Sequence, residues 1–236
     1  MNEGSAKLQT KKLRPGVKKA APLPEDASRS RPYHHGALHE ALLKAAETVL
    51  RRDGLRGLTL RAMSREVGVS HTAPQRHFRD TAGVLSELAA IGHRRLAASM
   101  AQHAEGFEVE ADRRMAIACG YVRFAVEQPD LFRLMSRNEL LDQSNEALNT
   151  ARRMSIRALA GTIARQDGPD GPIEHIDTAR AIEMTAGWAY VHGLATLLID
   201  GRLNSVARVT DNINDAAALV AATIKRMRLY CEDEAD

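Results

Sequence analysis

Between residues 38 and 230, apolar side chains recur every three or four positions, and no run of useful length alternates apolar with polar. A spacing of 3.6 buries one face of a helix, whereas a half-buried strand needs a spacing of two. The chain therefore predicts as all-α. Alanine and leucine, both strong helix formers, recur throughout. With 44% hydrophobic residues in 236, there is ample material for a core. Residues 181–199 are mostly apolar but contain Glu183, His192, Gly187 and Gly193. A membrane span needs about 20 residues with few charges, so this segment predicts as a buried helix and no membrane partner is expected.

Charge is unevenly placed. Lysine and arginine outnumber acids by eight to three in residues 1–32 and by ten to six in 33–104, but acids lead by 21 to 15 in 105–236. A basic front ahead of an acidic back suggests a polyanion partner at the front; the bland alternative is a basic tail that serves solubility only, and charge alone does not separate the two. Residues 1–32 also carry four prolines and no apolar period, the composition of a disordered basic arm. The beginning of the chain has no apolar signal core, and the two cysteines, Cys119 and Cys231, imply no disulfide framework. A reducing, cytoplasmic setting is expected.

The helical pattern starts after Gly36 and stops at the Arg51-Arg52-Asp53-Gly54 end signal. Thr59 is a candidate N-cap for a helix over 60–67, and Ser70 for one over 71–78. Asp80 or Thr81 caps the next, through Leu96. Further helices are expected over 111–125, from Pro129 to Met135, over 139–164, 176–200 and 211–230, with a Gly/Pro/Asp loop at 166–173. That makes about nine helices.

The stretch LRAMSREVGVSHTAPQRHF, residues 60–78, decides the functional reading. Two short capped helices around a glycine turn make a helix-turn-helix. Met63, Val67, Val69 and Ala73 are expected to pack inward, leaving His71, Thr72, Gln75 and Arg76 outward. The second helix of such a unit enters the major groove, where hydrogen-bonding side chains read base edges. The bland alternative is an ordinary helical hairpin with a polar face.

At these residues the chain resembles the TetR family of transcriptional regulators. The matching stretch runs over residues 34–85 and contains GLxxLTLRxxxxxxGVS and the closing RHF; the back half carries Trp-x-x-x-His-Gly at Trp188, His192 and Gly193. The resemblance implies a nine-helix homodimer with no cofactor. An N-terminal three-helix DNA-binding domain would occupy 33–80, and a ligand-binding and dimerisation domain 81–236. Base contacts would come from Arg61, His71, Thr72, Gln75 and Arg76, and phosphate contacts from Thr59, Ser70, His77 and Thr81. Two positions depart from the family pattern: Gln75 stands where tyrosine is usual, and Thr81 where lysine is usual. The implied function is a repressor that leaves a palindromic double-stranded DNA operator when a small-molecule effector binds. The alternative is a helical small-molecule-binding protein whose DNA binding is weak or lost.

Tyr121, Phe124, Met154, Met184, Trp188 and His192 are the candidate ligand-binding residues, since large, soft or polar groups on apolar helices line pockets as well as cores. Gly187, Ala186, Val191, Leu194 and Leu198, with the Ala-rich stretch 216–224, offer a dimer face. His34, His35 and His39 lack the further ligands a metal site needs. No nucleophile elbow, P-loop or dinucleotide fingerprint is present, so no metal and no enzymatic activity is expected.

Overall fold

The computed structural model describes residues 35–161, 177–213 and 215–232, the side chains of His35 and of 227–232 excepted. The basic arm, His34, the whole 166–173 segment with its flanks, and the Cys231 side chain lie outside the described residues. All regular structure among the described residues is helical.

The first helix, α1 (His35–Gly57), is broken at Gly54, where φ is 69° and ψ is −173°. Helix α2 (Leu60–Val67) begins as expected: Thr59 Oγ1 accepts from the Ala62 N–H at 3.1 Å. It ends at Gly68, whose φ of 75° is left-handed, so that Val69 N–H returns to the Ser64 carbonyl at 3.0 Å.

The expected α-helix over 71–78 is absent. A turn at Ser70–Ala73 leads instead into a single 3₁₀ turn, Pro74–Arg76. The reason lies at Pro74. In an α-helix its N–H would donate to the Ser70 carbonyl, but proline has none. The Ala73 N–H takes that carbonyl at 2.9 Å, and the tighter spacing continues through Arg76 and His77.

Helix α3 (Thr81–Ala104) is capped by Asp80, whose carboxylate accepts from the Gly83 N–H at 2.9 Å. Helices α4 (Glu110–Glu127) and α5 (Pro129–Met135) follow as expected. The helix expected over 139–164 starts later. Asp142 accepts from the Ser144 N–H and hydroxyl, and Asn145 caps Leu148, so α6 spans only Glu146–Ala160. Helix α7 (Thr178–Ile199) is capped by Asp177. A short α8 (Asn204–Arg208), which periodicity does not reveal, precedes α9 (Ala216–Glu232). The nine α-helices described thus match the expected number, with α8 replacing the missing recognition helix.

Helix α3 lies at the centre, with α6 and α4 as its most extensive neighbours and α5 and α1 alongside. One apolar cluster runs from Leu42 and Met63 through Val84, Leu88 and Phe124 to Leu148 and Ile224. Val191 is buried in it, and Leu194 and Leu198 pack against it. Those three residues, expected on the dimer face, therefore serve the protomer's own core. The outward surface of α7 carries Ile182, 64% exposed, with Ala186 and Ala189, and that of α9 carries Ala217, Ala218, Ala221 and Ala222. No helix among the described residues is long and apolar enough to cross a membrane.

Two glycines set how closely α3 is approached. A Cβ on Gly120 of α4 would lie 2.7 Å from the Ser99 carbonyl oxygen and 2.9 Å from the Met100 Cα, both α3 backbone. One on Gly92 would lie 2.5 Å from the Met135 sulfur of α5. Gly120→Ala is therefore expected to destabilise the fold by about 1–3 kcal/mol, the usual cost of overpacking. Gly36→Ala, whose added methyl meets nothing within 4 Å, is expected to be neutral or slightly stabilising. Urea unfolding midpoints check this, and equal midpoints would mean that α3 and α4 can part without loss.

Candidate functional site

The helix-turn-helix presents a polar surface on a pinned base. Arg61, His71, Thr72, Gln75 and Arg76 are exposed, as are Thr59 and Ser70. The Ser70 and Thr72 hydroxyls lie 3.0 Å apart. His77 is half-buried, and Thr81 is half-buried at the first position of α3. Beneath them Pro74 and Phe78 are buried. The Phe78 ring stacks on His39 of α1 at 4.9 Å, and His39 Nε2 reaches the Glu87 carboxylate of α3 at 3.0 Å. These contacts tie the irregular turn to both flanking helices.

A second tie lies deeper. Arg95 of α3 grips Glu47 of α1 with its two terminal guanidinium nitrogens, at 2.6 and 2.9 Å, and also donates to the Gln128 amide oxygen at 2.7 Å. The Arg95 hydrogen bonds hold the Glu47 carboxyl below the usual carboxylate range. A bidentate, partly buried pair of this kind fixes orientation as well as distance.

A cavity of about 460 Å³ lies among α3, α4, α5, α6 and α7, within the size range of small-molecule sites. Its walls are His93 and Leu96 of α3, Tyr121 of α4, Phe132 and Met135 of α5, the connecting Ser136, Asn138 and Gln143, Arg152, Ser155, Ile156 and Leu159 of α6, and Trp188 and His192 of α7. Three expected residues meet here. Trp188 Nε1 donates to the Tyr121 hydroxyl at 3.3 Å, and that hydroxyl lies 2.9 Å from His192 Nδ1. Burial pushes the Tyr121 hydroxyl up to about 12 and His192 down from its ordinary value. The other three expected residues are elsewhere. Phe124 is 1% exposed in the α3–α4 core, where α4 turns it inward. Met154 is 46% exposed on the outer face of α6, and half-buried Met184 lies on α7 away from the cavity walls.

Sequence reasoning misses the opposite wall. His93 Nδ1 lies 2.8 Å from the Ser155 hydroxyl, which donates its own proton to the Arg152 carbonyl at 2.9 Å. The hydroxyl has one proton, so His93 Nδ1–H must be the donor to it. The neutral ring then carries a lone pair on Nε2, and that atom is buried without a partner. Burial, helped by the Arg152 charge, pushes His93 down to about 4. The only signal in the sequence is that Arg152, Ser155, Ile156 and Leu159 share one face of a helix; what faces them is decided by packing. Two other hollows have similar volumes, about 470 and 450 Å³. Neither includes an unpartnered buried polar side-chain atom among the described residues.

Residues 115–225 match the family described as tetracyclin repressor-like, C-terminal domain. A protein of unknown function from Rhodococcus sp. RHA1 is 33% identical, over 84% of this chain and 98% of its own, with a TM-score of 0.63. The chain belongs to the TetR family of transcriptional regulators. Two more distant structures share the TetR fold. PfmR from Thermus thermophilus, a TetR family transcriptional regulator, is 15% identical over 78% of this chain and 91% of its own, with a TM-score of 0.53. FadR from Bacillus subtilis, solved in complex with stearoyl-CoA, is 12% identical over 80% and 97%, with a TM-score of 0.55. No curated protein sequence matches the chain.

His93 gives this TetR protein an acid-sensitive element. Its folded value of about 4 lies below the ordinary 6.5. The unfolded chain therefore takes up the proton first as pH falls, and stability drops between pH 6.5 and 4. The difference is worth about 3 kcal/mol. His93→Gln is expected to flatten the pH dependence of Tm across that window. Parallel Tm curves for the variant and the parent protein would show that His93 is not held neutral by the fold.

Proposed function

We propose that the chain is a ligand-responsive repressor. As a homodimer it holds a pseudo-palindromic operator through its two helix-turn-helix units, and it releases the operator when a small molecule fills the cavity. The observation that carries this reading is the course of α3. One uninterrupted helix has Thr81 at the helix-turn-helix and His93 and Leu96 in the cavity wall, about 18 and 22 Å further along at about 1.5 Å per residue. Movement of α3 at the cavity is thereby movement at the DNA-facing unit. The effector must bind the released arrangement more tightly than the operator-bound one, because affinity without preference shifts nothing.

The exposed small-residue faces of α7 and α9 support a two-fold dimer in which two helices from each subunit pack closely. Such a dimer sets half-sites about one helical turn apart, or a multiple of it. Arg61, His71, Thr72, Gln75 and Arg76 are assigned to base edges, and Thr59, Ser70, His77 and Thr81 to phosphates. The bound stearoyl-CoA of Bacillus subtilis FadR favours a small-molecule effector with an apolar part here too, since Leu96, Phe132 and Leu159 line the cavity.

A second reading has a specific observation in its favour. The recognition segment is a turn and a 3₁₀ turn rather than an α-helix and carries Gln75, and α3 opens on Thr81. On that reading the chain binds its ligand but holds DNA weakly. Selection from random duplex DNA at low salt separates the two. An enriched palindrome is expected, and in the selected operator Gln75→Ala should relax preference at one position by about 1–3 kcal/mol. Absence of enrichment would leave the second reading standing.

A further inference from the structure

We infer that the cavity is shaped for a carboxylate with an apolar body, its acid group set on the Arg152 guanidinium beside the neutral His93 ring. The inference rests on the reading of this cavity as the effector site and names the chemical class of the effector.

Charge is the first argument. Among the described residues, Arg152 is the one cation in the cavity wall. Its guanidinium is held by neutral groups, the Gln143 and Asn138 side-chain oxygens, each at 2.7 Å. Arg95, Arg113 and Arg133 instead pair with carboxylates, Glu47, Glu110 and Asp200. No acidic side chain among the described residues pairs with Arg152. A guanidinium already oriented by neutral oxygens and carrying no counter-charge is ready to take an anion that enters the cavity. The two amide oxygens fix the planar fork and use two of its five N–H groups. The remainder suits the paired oxygens of a carboxylate.

Hydrogen bonding is the second argument. Ser155 ties the two residues together, since its hydroxyl donates to the Arg152 backbone carbonyl and accepts from His93 Nδ1. His93 Nε2 is thereby left as an acceptor without a partner, and the ring stays neutral beside Arg152. A carboxylate entering the cavity therefore meets one cation, and its two oxygens accept from the guanidinium and balance its charge. An ammonium ion would repel Arg152. A neutral amide would leave the guanidinium charge unbalanced.

Shape is the third argument. Leu96, Phe132 and Leu159 make the remaining wall apolar, and the cavity's about 460 Å³ leaves room beside the acid group for a hydrocarbon body.

Trp188 is the only tryptophan in the chain and lies in the cavity wall, so its fluorescence reports occupancy directly. The probes are octanoate, octanamide and octylammonium, titrated into the full-length protein without DNA. Octanoate is expected to bind at least about tenfold more tightly than either of the others, a difference of about 1.4 kcal/mol. Arg152→Gln should erase that preference while leaving octanamide within about twofold, and Arg152→Lys should keep part of it. Equal or tighter binding of octanamide or octylammonium overturns the inference. So does a failure of octanoate to give a saturable signal, and neither result depends on a variant folding. Octanoate that binds as expected yet leaves the selected operator bound would keep the acid site and sink the effector reading. Release of the operator by octylammonium alone would do the reverse.

Discussion

The rest of the structure depends on the close approach of two helices to the backbone of α3. Gly120 brings α4 against Ser99 and Met100, and Gly92 admits Met135 and Leu131 of α5. Protein interiors pack like crystals of small molecules, so a neighbour that touches at backbone distance cannot be displaced smoothly. Helix α3 is therefore gripped at its middle while its first turn belongs to the helix-turn-helix. The Arg95–Glu47 pair and the His39–Glu87 contact attach α1 to the same helix. Recognition surface and cavity thus share one stiff element.

The cavity has two polar sides with opposite hydrogen-bonding character. On one, Trp188 donates to Tyr121, and the Tyr121 hydroxyl can donate in turn to His192 Nδ1, which leaves His192 with its proton on Nε2. On the other, Ser155 forces the His93 proton onto Nδ1 and leaves Nε2 as an acceptor. Both rings are kept neutral by burial. A neutral donor side, a side that carries the Arg152 charge, and an apolar wall between them select ligands by orientation as well as by size.

What is legible in the sequence is local. Thr59 and Asp80 cap their helices because a side-chain oxygen two or three residues ahead of an N–H needs no tertiary help. Pro129 opens α5 for a similar reason. The recognition segment misleads because its polar and apolar spacing is helical, while one missing N–H at Pro74 redirects the Ser70 carbonyl. Helix α6 starts late because Asp142 and Asn145 capture nearby N–H groups, which periodicity cannot weigh. In the cavity, Trp188 and His192 are legible as a motif, but their partner Tyr121 is about 70 residues away in sequence. His93 and Arg152 come together only because α3 packs on α6. Met154 and Met184 fit the same residue-type argument and are excluded only by the direction in which their helices face.

The central claim is that filling the cavity and holding DNA oppose each other through α3. Coupling between two sites is reciprocal, so each ligand must change the other's affinity by the same factor. The most direct measurement is the octanoate affinity, read from Trp188 fluorescence, with and without a saturating amount of the selected operator. The account predicts that the operator weakens octanoate binding by the same factor as octanoate weakens operator binding. An octanoate affinity that is unchanged by the operator, with the cavity demonstrably filled, would contradict it.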